Sequence, residues 1–331
     1  MSSRLAGLLV AVAALACATA ASVAYGSKPM SLGTVYDALF HYDRELSDHL
    51  VVRSLRVPRT LVGLLVGTAL GLAGTVMQGV TRNPLADPGV LGVNAGAALF
   101  VVIAIYWFGV SSLLGYVWFA FAGAALASLV VYVLGSLGRD GATPVKLALA
   151  GSAVTALLGS VTSAILLVDL ATLDQFRFWA VGSLSGRDAD IARQVAPFIA
   201  VGAVMAIASG RVLNALALGD DVARSLGQRV ALSRALGALV IVVLCGAATA
   251  AAGPVAFVGL TVPHIARAIV GPDYRWILPY SMVLSPTLLL ASDVVGRVVA
   301  RPAEVQVGIV TALLGSPVFL LLVRRRRLVA L

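Results

Sequence analysis

Charge is what this chain has least of. Only 12% of its 331 residues are Asp, Glu, Lys or Arg, against about 25% in a soluble globular domain, which excludes an ordinary water-facing fold. Lysine is reduced to Lys28 and Lys146, and neither follows a GxxxxGK[ST] loop, so the chain cannot hydrolyse ATP through a P-loop. Cys17 and Cys245 both lie in apolar runs; they have no metal-ligand spacing and make no disulfide framework. No HExxH, Cys/His cluster or GxSxG stretch occurs, which removes the commonest hydrolase motifs. Acids are missing from the middle of the apolar runs. Asp87, Asp169, Asp174, Asp220, Asp221 and Asp273 fall at run ends or in loops, and Asp293 comes near a run only at its outer end, beside Arg297. A proton-driven carrier places ionisable groups inside its spans, so no energy source of its own is visible.

What the chain has is hydrophobicity: 60% apolar residues and a mean hydropathy of +0.99. Runs of 18 or more apolar residues recur, and each can cross a bilayer as a helix. The weak alternation of a closed barrel is absent. The reading is an all-α, polytopic membrane protein, a single domain over 1–331. It has about ten transmembrane helices, near 5–25, 60–80, 90–108, 113–137, 147–168, 195–209, 235–252, 255–270, 277–295 and 307–323. The first run reads as a membrane helix rather than a cleaved signal peptide, because the rest of the chain is equally apolar. Residues 27–58 read as polar and extramembrane. The segment 169–194 is too polar to span and reads as an interfacial helix plus loop.

The longest polar island within the bundle predicts two short helices over 212–228. Gly219 ends the first, Asp220 N-caps the second with Asp221 in its first turn, and Gly227 closes it. Docking onto a separate soluble motor and an ordinary connecting loop are equal readings of that pattern.

With both termini cytoplasmic, Lys and Arg are in excess on the inner side, most clearly in the run Arg324–Arg327, as the positive-inside rule requires. The +9 charge is therefore a topology signal rather than a nucleic-acid one. The skeleton Gly67, Gly74, Pro84, Gly92 recurs 179 residues later as Gly246, Gly253, Pro263, Gly271. Gly and Pro fix close approach and bending, so shared spacing implies shared geometry. The two copies would run in opposite directions, an internal inverted repeat with halves near 56–190 and 235–331. Arg53, Arg56, Arg59, Arg297 and Arg301 fall on the outer side, against the rule. Either they pair with Asp43, Glu45, Asp293 or Glu304, or they form a basic outer face for an acidic partner, Arg being suited to bidentate carboxylate contacts. His264, after Pro263, reads as a helix-end packing residue.

Five ordered motifs carry a resemblance. They are RVPRTLVGLLVGTALGLAGTVMQGVTRNPLADPGVLGVNAGA (56–97), NALALGDDVARSLG (214–227), GPVAFVGLTVPHIAR (253–267), SDVVGR (292–297) and VGIVTALLGSPVFLLLVRRR (307–326). The chain resembles the FecCD family of ABC-transporter permeases over nearly its whole length. That family takes up ferric siderophores, haem and cobalamin in bacteria, with two ten-helix permease subunits, two ATPase subunits inside and a binding protein outside.

The resemblance implies roles. Arg56, Arg59 and Arg297 match residues that dock the binding protein. Leu216, Leu218, Gly219, Asp220, Asp221, Ala223, Arg224, Leu226 and Gly227 fall in the segment that couples to the ATPase. The fifth span, its end at 169–180 with Phe176 and Trp179, and the last span line the pathway. The loop Gly141 to Val145, with Thr143 and Pro144, lies where the family has a cytoplasmic gate. The chain itself would bind no cofactor or metal; ATP and Mg would belong to the partner ATPase.

One departure narrows the subgroup. Glu304-Val305-Gln306-Val307-Gly308 stands where many members have Glu-Leu-Pro-Ile-Gly. With LGVNAGA (91–97) and DQFRFWAVGSLSGR (174–187), it looks closest to permeases for ferric siderophores such as enterobactin, which often pair with a second, different permease. The expectation is a non-enzymatic permease subunit of an ATP-driven importer in the bacterial cytoplasmic (inner) membrane. The alternatives are a haem or cobalamin permease of the same family, or a secondary transporter working without an ATPase.

Overall fold

A computed structural model describes residues 3–137 and 143–324, and among them there is no strand. Fifteen α-helices follow in order: α1 Ser3–Ala24, α2 Leu32–Phe40, α3 Ser47–Val51, α4 Val57–Thr81, α5 Val93–Phe108, α6 Leu113–Ser136, α7 Pro144–Val168, α8 Leu170–Ala180, α9 Ala189–Ala208, α10 Gly210–Ala217, α11 Asp220–Ser225, α12 Val230–Ala252, α13 Val258–Val270, α14 Tyr274–Val299 and α15 Val307–Arg324. Among the described residues, seven helices are long and apolar enough to cross a bilayer: α1, α6, α7, α9, α12, α14 and the continuous helix Ser47–Thr81 that α4 completes. Three further apolar helices, α5, α13 and α15, are shorter.

Each predicted span has a helix at its place. The ends moved where polar residues were read as loop. Helix α9 begins at Ala189, not near 195, because Asp188 caps it by accepting from the backbone N–H of Asp190 and Ile191, satisfying donors that open a helix. The stretch read as polar and extramembrane holds α2 and α3, and α3 runs through a π-helical turn, Val52–Arg56, straight into α4. Charge hid that helix from hydropathy. In α13 the order is reversed. The expected start near 255 is replaced by a non-helical segment, and Phe257 sits in the left-handed region at φ 68° before the helix begins.

Helix α4 is the axis of the bundle, most of its surface buried, with α9, α12, α13 and α14 packed around it. Lipid and protein interior are equally apolar, so such helices hold together by close backbone approach and by hydrogen bonds between polar side chains. Both are present. A Cβ at Gly74 would overlap the carbonyl of Gly259, so α4 and α13 meet backbone to backbone there, and Gly96 and Gly123 do the same for α5 and α6. Thr75 Oγ1 lies 2.9 Å from Ser281 Oγ, Gln78 Nε2 donates to Leu260 O at 3.2 Å, and Thr249 Oγ1 to Asn94 Oδ1 at 3.1 Å. Helix α7 is different. It packs on α5 and α6 but leaves Leu149, Leu157, Val161 and Leu167 exposed, and α1 is likewise almost uncovered.

The order α4–α5–α6, long, short, long, is echoed by α12–α13–α14, and the packing is reciprocal: α4 lies against α14, α12 against α6. The glycine and proline skeleton itself corresponds only in part. Gly67 and Gly246 are both inside helices, and Gly92 and Gly271 both have positive φ, 74° and 81°. However, Gly74 is inside α4 while Gly253 ends α12, and Pro84 is in a loop while Pro263 is inside α13. Shared spacing therefore does not mean shared backbone conformation at every pair.

Candidate functional site

The residues expected to dock and to couple lie at the two ends of the bundle. At the end carrying α2, α3 and α8, the chain past α1 meets the N-terminal turn of α4, the C-terminal turn of α14 and the α8–α9 loop. Arg56 donates to the carbonyls of Val23, Ala24 and Lys28, and Arg297 to Ser22 O at 3.0 Å and Ser22 Oγ at 2.9 Å, while Arg301 reaches Gly26 O at 3.0 Å. Three arginines from elsewhere in the chain thus satisfy the open carbonyls at the C-terminus of α1 and meet the negative end of its dipole. Arg53 does the same for α2, donating to Ala38 O and Leu39 O, with its guanidinium 4.5 Å from the Tyr42 ring.

Arg59 is held differently. Its fork grips Asp293 at 2.7–3.2 Å, and its remaining nitrogen donates to Glu304 at 2.7 Å; Asp293 also pairs with Arg297 at 2.9 Å. Asp293 is fully buried and Arg297 nearly so. The internal pairing that the sequence left as one of two readings is therefore made at Arg59 and Arg297, with Asp293 and Glu304 as partners. Burial opposes ionisation of Glu304, but the Arg59 hydrogen bond and charge win and hold its carboxyl below the usual range. Above this network is a cavity of about 220 Å³ bordered by Lys28, Arg56, Arg59, Arg187, Arg297 and Glu304. Five cations and one acid line it; even with Asp293 pairing Arg59 and Arg297 from behind and Asp48 pairing Lys28, the lining stays net positive and suits a carboxylate.

At the opposite end, α10 and α11 form the expected pair of short helices. Gly219 makes the turn between them at φ 102° and is itself the N-cap. Asp220 does not cap. Its carboxylate bridges Arg82 at 3.2 Å and Arg234 at 2.9 Å, tying α11 to the end of α4 and to α12. Asn214 secures α10 by donating to Asp273 at 2.7 Å and accepting from the Tyr274 backbone N–H at 2.9 Å. Leu216 and Ala223 are buried, so of the expected contact residues these two and Asp220 face inward. Leu218, Asp221, Arg224 and Leu226 are exposed, with Asp221 and Arg224 paired at 2.8 Å, and Gly227 follows at φ 82°. The pair thus exposes two leucines and one ion pair while its other side is tied to α4 and α12.

Of the gate residues, Gly141 and Ala142 lie outside the described residues. Thr143 caps α7 by accepting from the Lys146 N–H, Pro144 occupies the first turn, and Val145 is exposed. Phe176 and Trp179, expected to line a pathway, are packed into the core, ring centroids 5.8 Å apart. His264 holds the loop after α4, its Nε2 2.7 Å from Pro84 O. No group of three or more metal-ligating residues occurs among the described residues.

A bundle of apolar spans with a basic pocket at one end and a tethered helical pair at the other defines a multi-pass membrane permease. The FecCD transport family matches residues 13–325, and the chain belongs to that family. It is 43% identical over 308 residues, 93% of this chain and 92% of the relative, to the "Probable siderophore transport system permease protein YfiZ" of Bacillus subtilis (strain 168). It is 47% identical over 309 residues, with the same coverage, to the ferric enterobactin transport system permease protein FepD of Escherichia coli (strain K12). Its fold matches a metal-chelate type ABC transporter solved in an inward-facing conformation, with a TM-score of 0.84 and 27% identity over 96% of this chain and 98% of that one.

Proposed function

We propose that the chain is the membrane-spanning permease subunit of an ATP-driven ABC importer that takes up a ferric siderophore in the bacterial cytoplasmic membrane. The observation that carries this reading is the end-to-end likeness to siderophore permeases; the two ends of the bundle give it a physical mechanism. The seven long and three shorter apolar helices then make ten spans, with both termini cytoplasmic and the two halves an inverted repeat. The basic pocket faces the outside and receives acidic side chains of a binding protein. Arg56, Arg59 and Arg297 keep it positive, and Arg56 and Arg297 also brace α1, so docking and the packing of the outer helix ends are coupled.

The α10–α11 pair faces the cytoplasm and seats in an ATPase subunit, which holds the ATP and Mg; this chain supplies no catalytic group. Asp220, through Arg82 and Arg234, passes the ATPase movement to α4 and α12 together, while Leu218, Asp221, Arg224 and Leu226 make the contact. The exposed faces of α7 and α15 meet a second permease, identical or related, and the pathway runs between them, with Thr143, Pro144 and Val145 at its cytoplasmic mouth. The test is purification of the tagged chain with its native neighbours in mild detergent, followed by mass spectrometry and an ATPase assay with ferric siderophores. An ATPase subunit that co-purifies and is stimulated by the loaded binding protein is the expected result. Uptake into vesicles without any ATPase, driven by a proton gradient, would overturn the proposal.

A further inference from the structure

A second polar cavity lies beside the docking pocket and is not explained by docking. It measures about 260 Å³ and is bordered by Tyr116 of α6, Gln175 and Trp179 of α8, Ser183 and Arg187 of the α8–α9 loop, and Gln306 just before α15. Arg187 borders both cavities. Two donors here are buried and short of acceptors. Trp179 is 2% exposed, and its Nε1–H has no hydrogen-bond partner. Arg187 is 4% exposed; its Nε donates to Ser183 O at 3.1 Å. Among the described residues no carboxylate stands within ion-pair distance of Arg187, and neither of its terminal nitrogens makes a hydrogen bond. Every other arginine in the outer cluster is satisfied by carbonyls or carboxylates, so Arg187 is the exception. An arginine and an indole N–H can only donate; the Trp179 Nε1–H is fully buried without an acceptor, which is costly, and Arg187 lines both cavities with its terminal nitrogens unpaired. Burial accordingly draws the Arg187 guanidinium down to about 10, its neighbour Asp188 only partly opposing this. Tyr116 Oη, 3.3 Å from Gln175 Oε1, leaves the Gln175 amide nitrogen as a further donor.

We infer that this cavity is a transient subsite for one anionic, oxygen-bearing arm of the transported metal chelate, with Arg187 and Trp179 Nε1 donating to its catecholate or carboxylate oxygens. The assignment rests on the importer reading for the identity of the ligand but on the cavity alone for its chemistry. Three features fit. The volume is below the usual range for a whole drug-sized ligand, so it suits an arm or an edge rather than the entire chelate. The Trp179 ring, braced by Phe176, offers an aromatic wall beside the donors. The position of Arg187, shared with the docking pocket, places the subsite where a ligand leaving a docked protein first meets the permease. Few and neutral companions keep the hold weak, as release requires.

The test uses the full chain in lipid nanodiscs without binding protein. The probes are the trianionic ferric complex of a hexadentate tricatechol and a charge-neutral ferric trihydroxamate. Binding is read by equilibrium dialysis with iron quantification and by quenching of tryptophan fluorescence. Arg187→Gln should weaken the trianionic complex roughly ten- to hundred-fold, the scale of hydrogen bonds to a charged group, and leave the neutral one unchanged. Arg187→Lys should fall between. Trp179→Phe should remove most of the quenching. Gln306→Leu, which leaves the loop and its charge intact, should weaken the trianionic complex less than Arg187→Gln, and it keeps the idea testable if the Arg187 variants melt early. Equal affinity of both probes, no binding to the wild type, or Arg187→Gln losing binding-protein docking while keeping chelate affinity would each overturn the subsite. Co-purification of the ATPase is scored separately; its absence would strike the importer reading and not this one.

Discussion

Removing the carboxylate of Asp293 is the sharpest perturbation the outer network allows. Asp293 is fully buried, grips Arg59 through two oxygens and pairs with Arg297. Asp293→Ala would leave two buried guanidinium groups facing each other without their shared anion. Breaking a buried ion pair by deleting one partner costs about 3–5 kcal/mol, mostly the penalty of the stranded charge. Here the lower end applies, near 3 kcal/mol, because Glu304 still accepts from Arg59 and Ser22 still accepts from Arg297. At roughly 2 °C per kcal/mol for a chain of this size, the thermal midpoint should drop on the order of 6 °C. The assay is thermal unfolding of the purified protein in one detergent, run as a cycle with Arg59→Met and the double variant. Since the penalty is the stranded cation, the double variant should recover about 1–2 kcal/mol relative to the sum of the single changes. An Asp293→Ala protein as stable as wild type, or strictly additive losses, would refute the reasoning that this network bonds α4 to α14.

At the opposite end, Asp220→Ala should lower the thermal midpoint by freeing α11 from α4 and α12, whereas Asp221→Ala should leave it unchanged; the exposed pair reversed, Asp221→Arg with Arg224→Glu, should leave folding intact but separate ATP hydrolysis from uptake, checked by both rates in proteoliposomes. Gly74→Val should prevent stable folding, because its Cβ would overlap the Gly259 carbonyl, and size-exclusion profiles in detergent would show aggregation rather than a single peak. Asp273 is held well below the usual carboxylate range, first by the Arg275 hydrogen bond and, against burial, by Asn214. A depressed folded-state value gives stability that is present above about pH 4 and lost as the pH falls further; the acid-induced drop in thermal midpoint should therefore be smaller in Asp273→Asn. Docking of the binding protein should weaken as salt rises, and Arg56→Gln should reduce both affinity and its salt dependence, measured by titration at several ionic strengths.

The sequence announced the spans because hydropathy over 18 residues is an additive signal, and it announced α10 and α11 because glycine at positive φ is a local requirement. It did not announce what Asp220 does. A carboxylate at the start of a short helix looks like a cap in one dimension; only the packing of α4 and α12 brings Arg82 and Arg234 to it. The glycine–proline skeleton misled in part for the same reason: spacing is one-dimensional, and a glycine can serve close packing at Gly74 or a turn at Gly253. Arg187 was missed altogether, since neither its charge nor its neighbours in sequence reveal that it is buried without a carboxylate.

The arginines at the end carrying α2, α3 and α8 show the same limit. The sequence reading set them outside, against the positive-inside rule, and offered internal pairing or a partner-facing surface as alternatives. The structure shows that capping also consumes them: Arg56, Arg297 and Arg301 close the end of α1, and Arg53 that of α2. A helix end at a membrane boundary has open carbonyls and a negative dipole, and arginine, with five donors in a rigid fork, can satisfy several at once. If docking uses this pocket as proposed, the arginines that brace the helix end also set the pocket's charge. A variant that weakens docking at this end should also loosen α1, and one that changes docking alone is to be sought at Lys28, which borders the pocket from an exposed position.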